Sequence, residues 1–122
     1  MLASEAAADT CWMHNGSLMR LQDWGGARRF LYEHPRPGLQ SAGVWQGTVL
    51  FEGQNSGDWY SGTAAVFSSA CPGAPLGYYV ERPVLQNPLR IQMRGQREVY
   101  QTCSPTGRWT TDTLVFSYSH QC

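Results

Sequence analysis

The sequence predicts an all-β fold: a single antiparallel β-barrel of about seven or eight short strands in up-and-down or meandering order, stapled by disulfides. Three observations lead to this prediction. Apolar and polar residues alternate along short runs, which is the pattern of half-buried strands. The 13 glycines and 7 prolines would interrupt most helices of a dozen residues. Four cysteines are spread widely over the 122 residues, as in disulfide-bonded domains.

Turn-forming residues punctuate the chain and set the limits of the elements. Glycine, proline, asparagine and aspartate cluster at seven places: Asn15-Gly16, Gly25-Gly26, Pro35–Gly38, Asn55–Asp58, Pro72–Pro75, Asn87-Pro88 and Ser104–Gly107. Asn-Gly is a favoured two-residue hairpin turn, so we expect a hairpin at the first of these. Connections this short place consecutive strands side by side, which favours the meander.

Eight runs of strand length lie between the turns, and each is rich in β-branched, aromatic or alternating residues. In chain order they are Leu18–Leu21, Arg28–His34, Thr48–Gly53, Trp59–Ser68, Tyr78–Val84, Leu89–Arg94, Val99–Thr102 and Thr113–Ser119. The alternation is clearest in the sixth, where Ile91 and Met93 share one face, and in the last, where Leu114, Phe116 and Tyr118 do. Gly62, inside the fourth run, predicts a bulge or a sharp bend.

The length of the chain fits one domain. Residues 1–10, MLASEAAADT, are small and acidic, and we interpret them as a tail left after removal of a signal peptide. Residues 11–122 then form the barrel. We expect a periplasmic or secreted protein.

The cysteines at positions 11, 71, 103 and 122 lack the close spacing of metal ligands, so we expect two disulfides and no metal site. Four cysteines allow three pairings, and the sequence does not choose among them. We favour Cys71 with Cys103, and Cys11 with Cys122, which would tie the two ends of the barrel domain together.

Charge and motifs exclude several classes of function. Nine arginines balance nine acidic residues, which argues against a nucleic-acid partner. No apolar run is long enough to predict a membrane-spanning helix. The motifs for phosphate, dinucleotide or metal binding and for a nucleophilic serine are absent, so we predict no cofactor, no catalytic residue and no enzymatic activity. The alternative is a small hydrolase that pairs His14 or His34 with a carboxylate such as Glu33 or Glu52.

Five tryptophans exceed what a core of this size requires, and some of them could line a binding surface. Core filling is the competing interpretation. We predict a binding domain that takes a small apolar ligand in the mouth of the barrel, or a protein partner on an aromatic patch. The candidate binding residues are Trp12, His14, Asn15, Trp45, Trp59 and Trp109.

Several segments together form a recognisable string: Trp12–Ser17, Arg29–Tyr32, Pro35–Leu39, Gly43-Val44, Gly47–Gly53, Tyr60–Ala64, Cys71, Cys103 and Asp112–Phe116. This string, which covers about residues 11–118, resembles an uncharacterised β-rich domain of alphaproteobacterial exported proteins, found alone or after caspase-like peptidase domains. The resemblance implies export and an accessory or binding role, and it supports the pairing of Cys71 with Cys103. It also suggests a third function, that of a structural or regulatory domain attached to a peptidase.

Overall fold

A computed structural model describes residues 9–73, 75–86 and 89–122. It is all-β and forms one closed antiparallel barrel of eight strands, as the sequence predicts. The elements are β1 (Thr10–His14), β2 (Ser17–Trp24), β3 (Ala27–His34), a 3-10 helix (Leu39–Ala42), β4 (Val49–Ser56), β5 (Trp59–Val66), β6 (Leu76–Pro83), a two-residue β7 (Leu85–Gln86), β8 (Leu89–Gln101) and β9 (Ser104–Gln121).

The strands pair in chain order, so the barrel is an up-and-down meander. Each strand from β1 to β5 pairs with the next, β8 pairs with β9, and β9 returns to pair with β1. The circle closes between β6 and β8, where the ladder consists of one pair, Glu81 with Arg94. The two-residue β7 pairs with the start of β8 and lies outside the circle.

The hairpin turns define two ends of the barrel. At the first turn, Asn15 and Gly16 have φ angles of 47° and 80°, which is the left-handed conformation that a tight hairpin requires. We call the end that carries this turn the upper end. It also carries the β3–β4 and β5–β6 loops, and the turns at Gly25-Gly26 and Gly57-Asp58 lie at the lower end.

Side chains from the inward face of every barrel strand fill the interior. Phe30 and Phe116 stack at the centre with ring centroids 3.9 Å apart, and Trp12 packs edge-on against Phe30 at 6.1 Å. Ile91, Met93 and Leu114 are buried, as their alternation predicts. Burial of this apolar surface is the main contribution to the stability of such a fold.

Both favoured disulfides are present: Cys11 bonds to Cys122, and Cys71 bonds to Cys103. The first bond joins β1 to the end of the chain. The second joins the β5–β6 loop to the tip of the long β8–β9 hairpin. Because this tip is held at the upper end, the hairpin cannot swing away from the barrel.

The structure corrects three predicted boundaries. Thr10, which was assigned to the tail, is the first residue of β1, a strand that the sequence did not predict. Leu89–Arg94 and Val99–Gln101 belong to one continuous strand, β8, and Thr102 lies in the turn that follows it. Ser104–Gly107 is part of β9 and not a turn. The register of the β8–β9 ladder shifts near Glu98, and this irregularity allows the two strands to stay paired as far as Ser104.

The prediction of a bulge at Gly62 is also wrong, and the alternative prediction there, a sharp bend, stays a prediction. Gly62 pairs with Gly53 across β4 and β5, and the register is regular on both sides of it. A Cβ atom on either glycine would collide with the backbone of the other strand. The two glycines therefore allow a close approach of two strands without interrupting the ladder.

Two predicted features fall largely or wholly outside the described residues. These are the tail, apart from Asp9 and Thr10, and the turn at Asn87-Pro88. Within the part of the chain that is described, no helix has the length and apolar character needed to cross a membrane.

Candidate functional site

The predicted binding residues divide between the core and the surface. Trp12 is buried in the core cluster, with its indole Nε1 donating to the Thr10 hydroxyl at 2.8 Å. Trp45 lies in the β3–β4 loop and is 60% exposed, and Trp109 on β9 is 63% exposed. Trp59 on β5 is 41% exposed. The structure thus does not gather these side chains at one barrel mouth.

His14 is buried near the upper end, with Asn15 beside it. Its Nδ1 donates to the carbonyl of Val115 at 2.9 Å, its ring stacks on Phe116, and the Asn15 amide nitrogen is 3.5 Å from Nε2. A carbonyl can only accept, so the proton of the neutral ring is on Nδ1. Burial lowers the pKa of His14, the bond to Val115 opposes this effect, and the charge of Arg36 adds to it.

The carboxylates of the hydrolase hypothesis pair with arginines. Glu33 accepts from Arg20 Nε at 2.9 Å, and Glu52 accepts from Arg29 at 2.7 Å. The bond from Arg20 lowers the pKa of Glu33. His14 therefore bonds to a backbone carbonyl and to the Asn15 amide. Glu33 on β3 and Glu52 on β4 form ion pairs with arginines instead.

A second candidate site, which sequence reasoning missed, lies along the junction of β6 and β8. Four cavities of about 400, 280, 470 and 220 Å³ follow this junction, and each shares lining residues with the next. Together they form a groove that runs from the Cys71–Cys103 disulfide to Pro83. We call it the seam groove; β6 contributes Leu76, Tyr79 and Arg82 to it, and β8 contributes Arg94, Gln96 and Tyr100.

The groove exists because the two strands touch closely at one level and separate above it. The Tyr79 carbonyl lies against Gly95 so closely that a Cβ atom there would overlap it. Glu81 pairs with Arg94 just below this contact, and above the contact the two strands form no further pair. The widening gap toward the upper end becomes the cavities lined by Val66, Leu76 and Tyr100.

An ion pair forms the floor of the upper groove. Arg97 Nε donates to Asp112 Oδ2 at 2.7 Å, and the Tyr78 hydroxyl donates to the same oxygen at 3.1 Å. Burial raises the pKa of Tyr78, and the negative charge of Asp112 raises it further. The phenol is therefore a fixed hydrogen-bond donor to Asp112 and not a base.

Exposed aromatic side chains form the rim of the groove. Trp109 lines the same cavity as Tyr79. Lower on the outer face, Glu81 Oε1 accepts from Trp59 Nε1 at 3.1 Å and from the Tyr79 hydroxyl at 3.3 Å. Of the six predicted binding residues, Trp109 thus lines the groove and Trp59 supports its rim through Glu81.

The chemistry of the groove changes along its length. The end near the disulfide includes the apolar Leu76 and the aromatic Tyr100 beside the ion-paired Arg97, and the end near Pro83 is lined by Arg82 and Arg94. The alternation of β8, which places Arg94 on the face opposite to Met93, was the one sequence signal that pointed outward to this surface. The partner strand across the groove could not be identified from it.

Within the described residues, no three His, Cys, Asp or Glu side chains form a group that could hold a metal ion. Comparisons with protein-family models, with curated proteins and with solved structures found no match. The seam groove and its chemistry are therefore the basis for assigning a function.

Proposed function

We propose that this protein is a non-catalytic binding domain that acts outside the cytoplasm, in the periplasm or after secretion, and that it holds an extended segment of a protein partner in the seam groove. The observation that carries the proposal is the continuity of the groove. It follows the eight residues of β6, which corresponds to roughly 25 Å at the rise of a strand. A groove of this length suits a chain of about seven extended residues better than a compact ligand.

The facing strands support a polypeptide as the occupant. Only Glu81 and Arg94 pair across the junction, so the remaining main-chain groups of β6 and β8 on this side are not used in a ladder with each other. Extended peptides bind proteins by hydrogen bonding to such strand edges, and side-chain pockets supply the specificity. Tyr100 and Trp109 are aromatic residues of the kind that dominate binding energy at protein interfaces.

A small apolar ligand inside the barrel is the less favoured version of the proposal. The interior is occupied by a stacked set of aromatic rings, and the 3-10 helix contributes the buried Ala42 to the upper end, next to the fully buried Val44. An accessory role beside a peptidase is compatible with the groove, because such a domain would also hold an extended chain.

Two disulfides and the described fold are compatible with an oxidising location. Cys11 and Cys122 are separated by 111 positions and joined at the end of the β1–β9 ladder. A domain in which two such bonds join distant parts of the chain is suited to a compartment where disulfides persist.

Selection from a displayed library of random seven-residue peptides tests the proposal. Selected peptides should bind the wild-type protein, and we expect Trp109→Ala and Tyr100→Ala each to weaken that binding about tenfold, as truncation of an aromatic hot spot does. Trp24→Ala is the matched control, because Trp24 is 51% exposed at the lower end of the barrel. Peptides that bind all four proteins equally, or no selected peptides at all, would refute the proposal.

A further inference from the structure

We infer that the segment held in the seam groove is acidic at one end and apolar at the other, and that Arg82 and Arg94 together bind its carboxylates. This inference rests on the proposed function and specifies the chemistry of the partner. It starts from the lower half of the groove, where two adjoining cavities of about 470 and 220 Å³ are both lined by these two arginines.

The two guanidinium groups are available to a ligand. Among the described residues, neither Arg82 nor Arg94 has a carboxylate within ion-pair distance, whereas Arg20, Arg28 and Arg29 do. Arg82 comes from β6 and Arg94 from β8, and both line the two lower cavities. Arginine presents a planar set of donors that matches a carboxylate, which makes such a pair suited to binding one.

The carboxylates of the groove do not neutralise this end. Glu81 directs Oε1 to the donors of Trp59 and Tyr79 on the outer face. Glu98, which lines the upper groove, accepts from the backbone N–H of Gly107 at 2.8 Å. Glu81 keeps its negative charge, because its donors are neutral, and it lines one of the two lower cavities; it is the one carboxylate among the described residues that line this end, so the two arginines outnumber it.

Polarity along the groove sets the direction of the bound segment. The upper end, between Leu76 and Tyr100, accepts an apolar side chain, and the lower end, between the two arginines, accepts an acidic one. The eight residues of β6 separate these regions. Two apolar residues at one end of a heptapeptide and two acidic residues at the other would therefore contact both regions at once.

Fluorescence anisotropy with synthetic peptides tests the inference. The probe is a labelled heptapeptide with two leucines at one end and two aspartates at the other, and its counterpart carries two asparagines instead. We expect the aspartate peptide to bind the wild-type protein at least tenfold more tightly than the asparagine peptide. Arg82→Gln and Arg94→Gln should each weaken binding of the aspartate peptide about three- to tenfold and leave the asparagine peptide unaffected.

Arg108→Gln is the matched control, because Arg108 is exposed on β9 and lines none of these four cavities. It removes the same charge and should leave the affinity within twofold. A measurement at increasing salt concentration needs no variant. Higher salt should weaken the binding of the aspartate peptide to the wild-type protein and leave the binding of the asparagine peptide unchanged. The substitution Arg94→Glu should reverse the preference and favour a peptide with two lysines in place of the aspartates.

The outcomes separate the inference from the proposed function. Equal affinity for the aspartate and asparagine peptides, with Trp109 still required, would overturn the inference and leave the groove as a peptide-binding site. Equal or tighter binding of trigalacturonate, an oligosaccharide with similarly spaced carboxylates, would overturn the assignment of a peptide. Failure of both heptapeptides and of every library peptide would overturn inference and function together.

Discussion

At the scale of single residues, His14 shows how a polar side chain is accommodated in an apolar interior. It is only 5% exposed, and an unpartnered imidazole there would be costly. The bond to Val115 and the stacking on Phe116 offset that cost for the neutral ring. The bond to Val115 also favours the charged ring, but burial disfavours that ring more strongly, so the pKa is lowered.

This environment predicts that stability depends on pH through His14. Its folded-state pKa lies below the value of 6.5 expected when it is exposed, so below that pH the unfolded chain binds a proton that the folded chain does not. The free energy of unfolding should be highest above about pH 7 and should decrease as the pH falls through 6.5. Urea unfolding at pH 7.5 and pH 5 measures the difference.

The variant His14→Gln should be less stable than the wild type by about 1–2 kcal/mol at pH 7.5, and it should lose much of the decrease on acidification. His120→Gln, at an exposed position, should retain the wild-type dependence. An unchanged pH dependence in the His14 variant would show that other groups cause it.

The tryptophans show that residue type alone does not reveal whether a side chain is buried in the core or exposed on the surface. Trp12 and Trp109 were equal candidates from the sequence, yet one packs on Phe30 in the core and the other stands on the outer face of β9. Trp12 belongs to β1, where both Cys11 and Trp12 are buried and the pairing with β9 shifts between them. A simple two-residue alternation therefore does not apply at that strand.

At the scale of elements, the junction of β6 and β8 is the part of the barrel that alternation could not predict. The sequence was sufficient for the inward faces of β8 and β9, because Ile91, Met93 and Leu114 repeat every second residue. The separation of β6 from β8 depends on the contact of Tyr79 with Gly95, which are 16 positions apart, and on the length of the hairpin beyond it. Such non-local geometry leaves no local pattern.

Gly95→Ala should disrupt this junction. The added methyl group would overlap the Tyr79 carbonyl oxygen, so β6 and β8 must separate. We expect a loss of about 2–4 kcal/mol in the free energy of unfolding, in the range of overpacking and lost strand pairing. Urea unfolding measures it. The control is Gly26→Ala, where the nearest atom is an ordinary 3.7 Å away; equal effects of the two substitutions would contradict this explanation.

Removing the Cys71–Cys103 bond should release the tip of the β8–β9 hairpin. The bond spans 32 positions, and the chain-entropy model assigns about 3–4 kcal/mol to a loop of that size. Cys71→Ser/Cys103→Ser should also speed hydrogen exchange of backbone amides near residues 97–103. Exchange in this segment that is as slow as in the wild type would show that strand pairing alone holds the tip.

At the scale of the whole molecule, the bond between Cys11 and Cys122 should contribute more to stability than the other disulfide. It spans 111 positions, for which the chain-entropy model gives about 4–5 kcal/mol. The variant Cys11→Ser/Cys122→Ser should therefore lose about 15–25 °C in Tm. Calorimetry of both double variants tests the order, and a smaller loss in this variant than in Cys71→Ser/Cys103→Ser would contradict it.

The general architecture was predictable because it depends on repeated, local features. Turn residues at Asn15-Gly16 and at Gly25-Gly26 mark hairpins, and hairpins in series make a meander. The favoured disulfide pairings were also correct. The groove was not predictable, because it lies where β6 and β8 are not paired, and that gap depends on the fold of the whole barrel.

The bond between Cys11 and Cys122 has a consequence for how the barrel can be used. The Cα atoms of these residues are 5.1 Å apart, and the backbone N–H of Cys122 donates to the carbonyl of Asp9 at 3.1 Å. Residues 9 and 122 thus leave the barrel side by side. We therefore expect the domain to tolerate insertion into a surface loop of a host protein, or circular permutation with a short linker between these two residues.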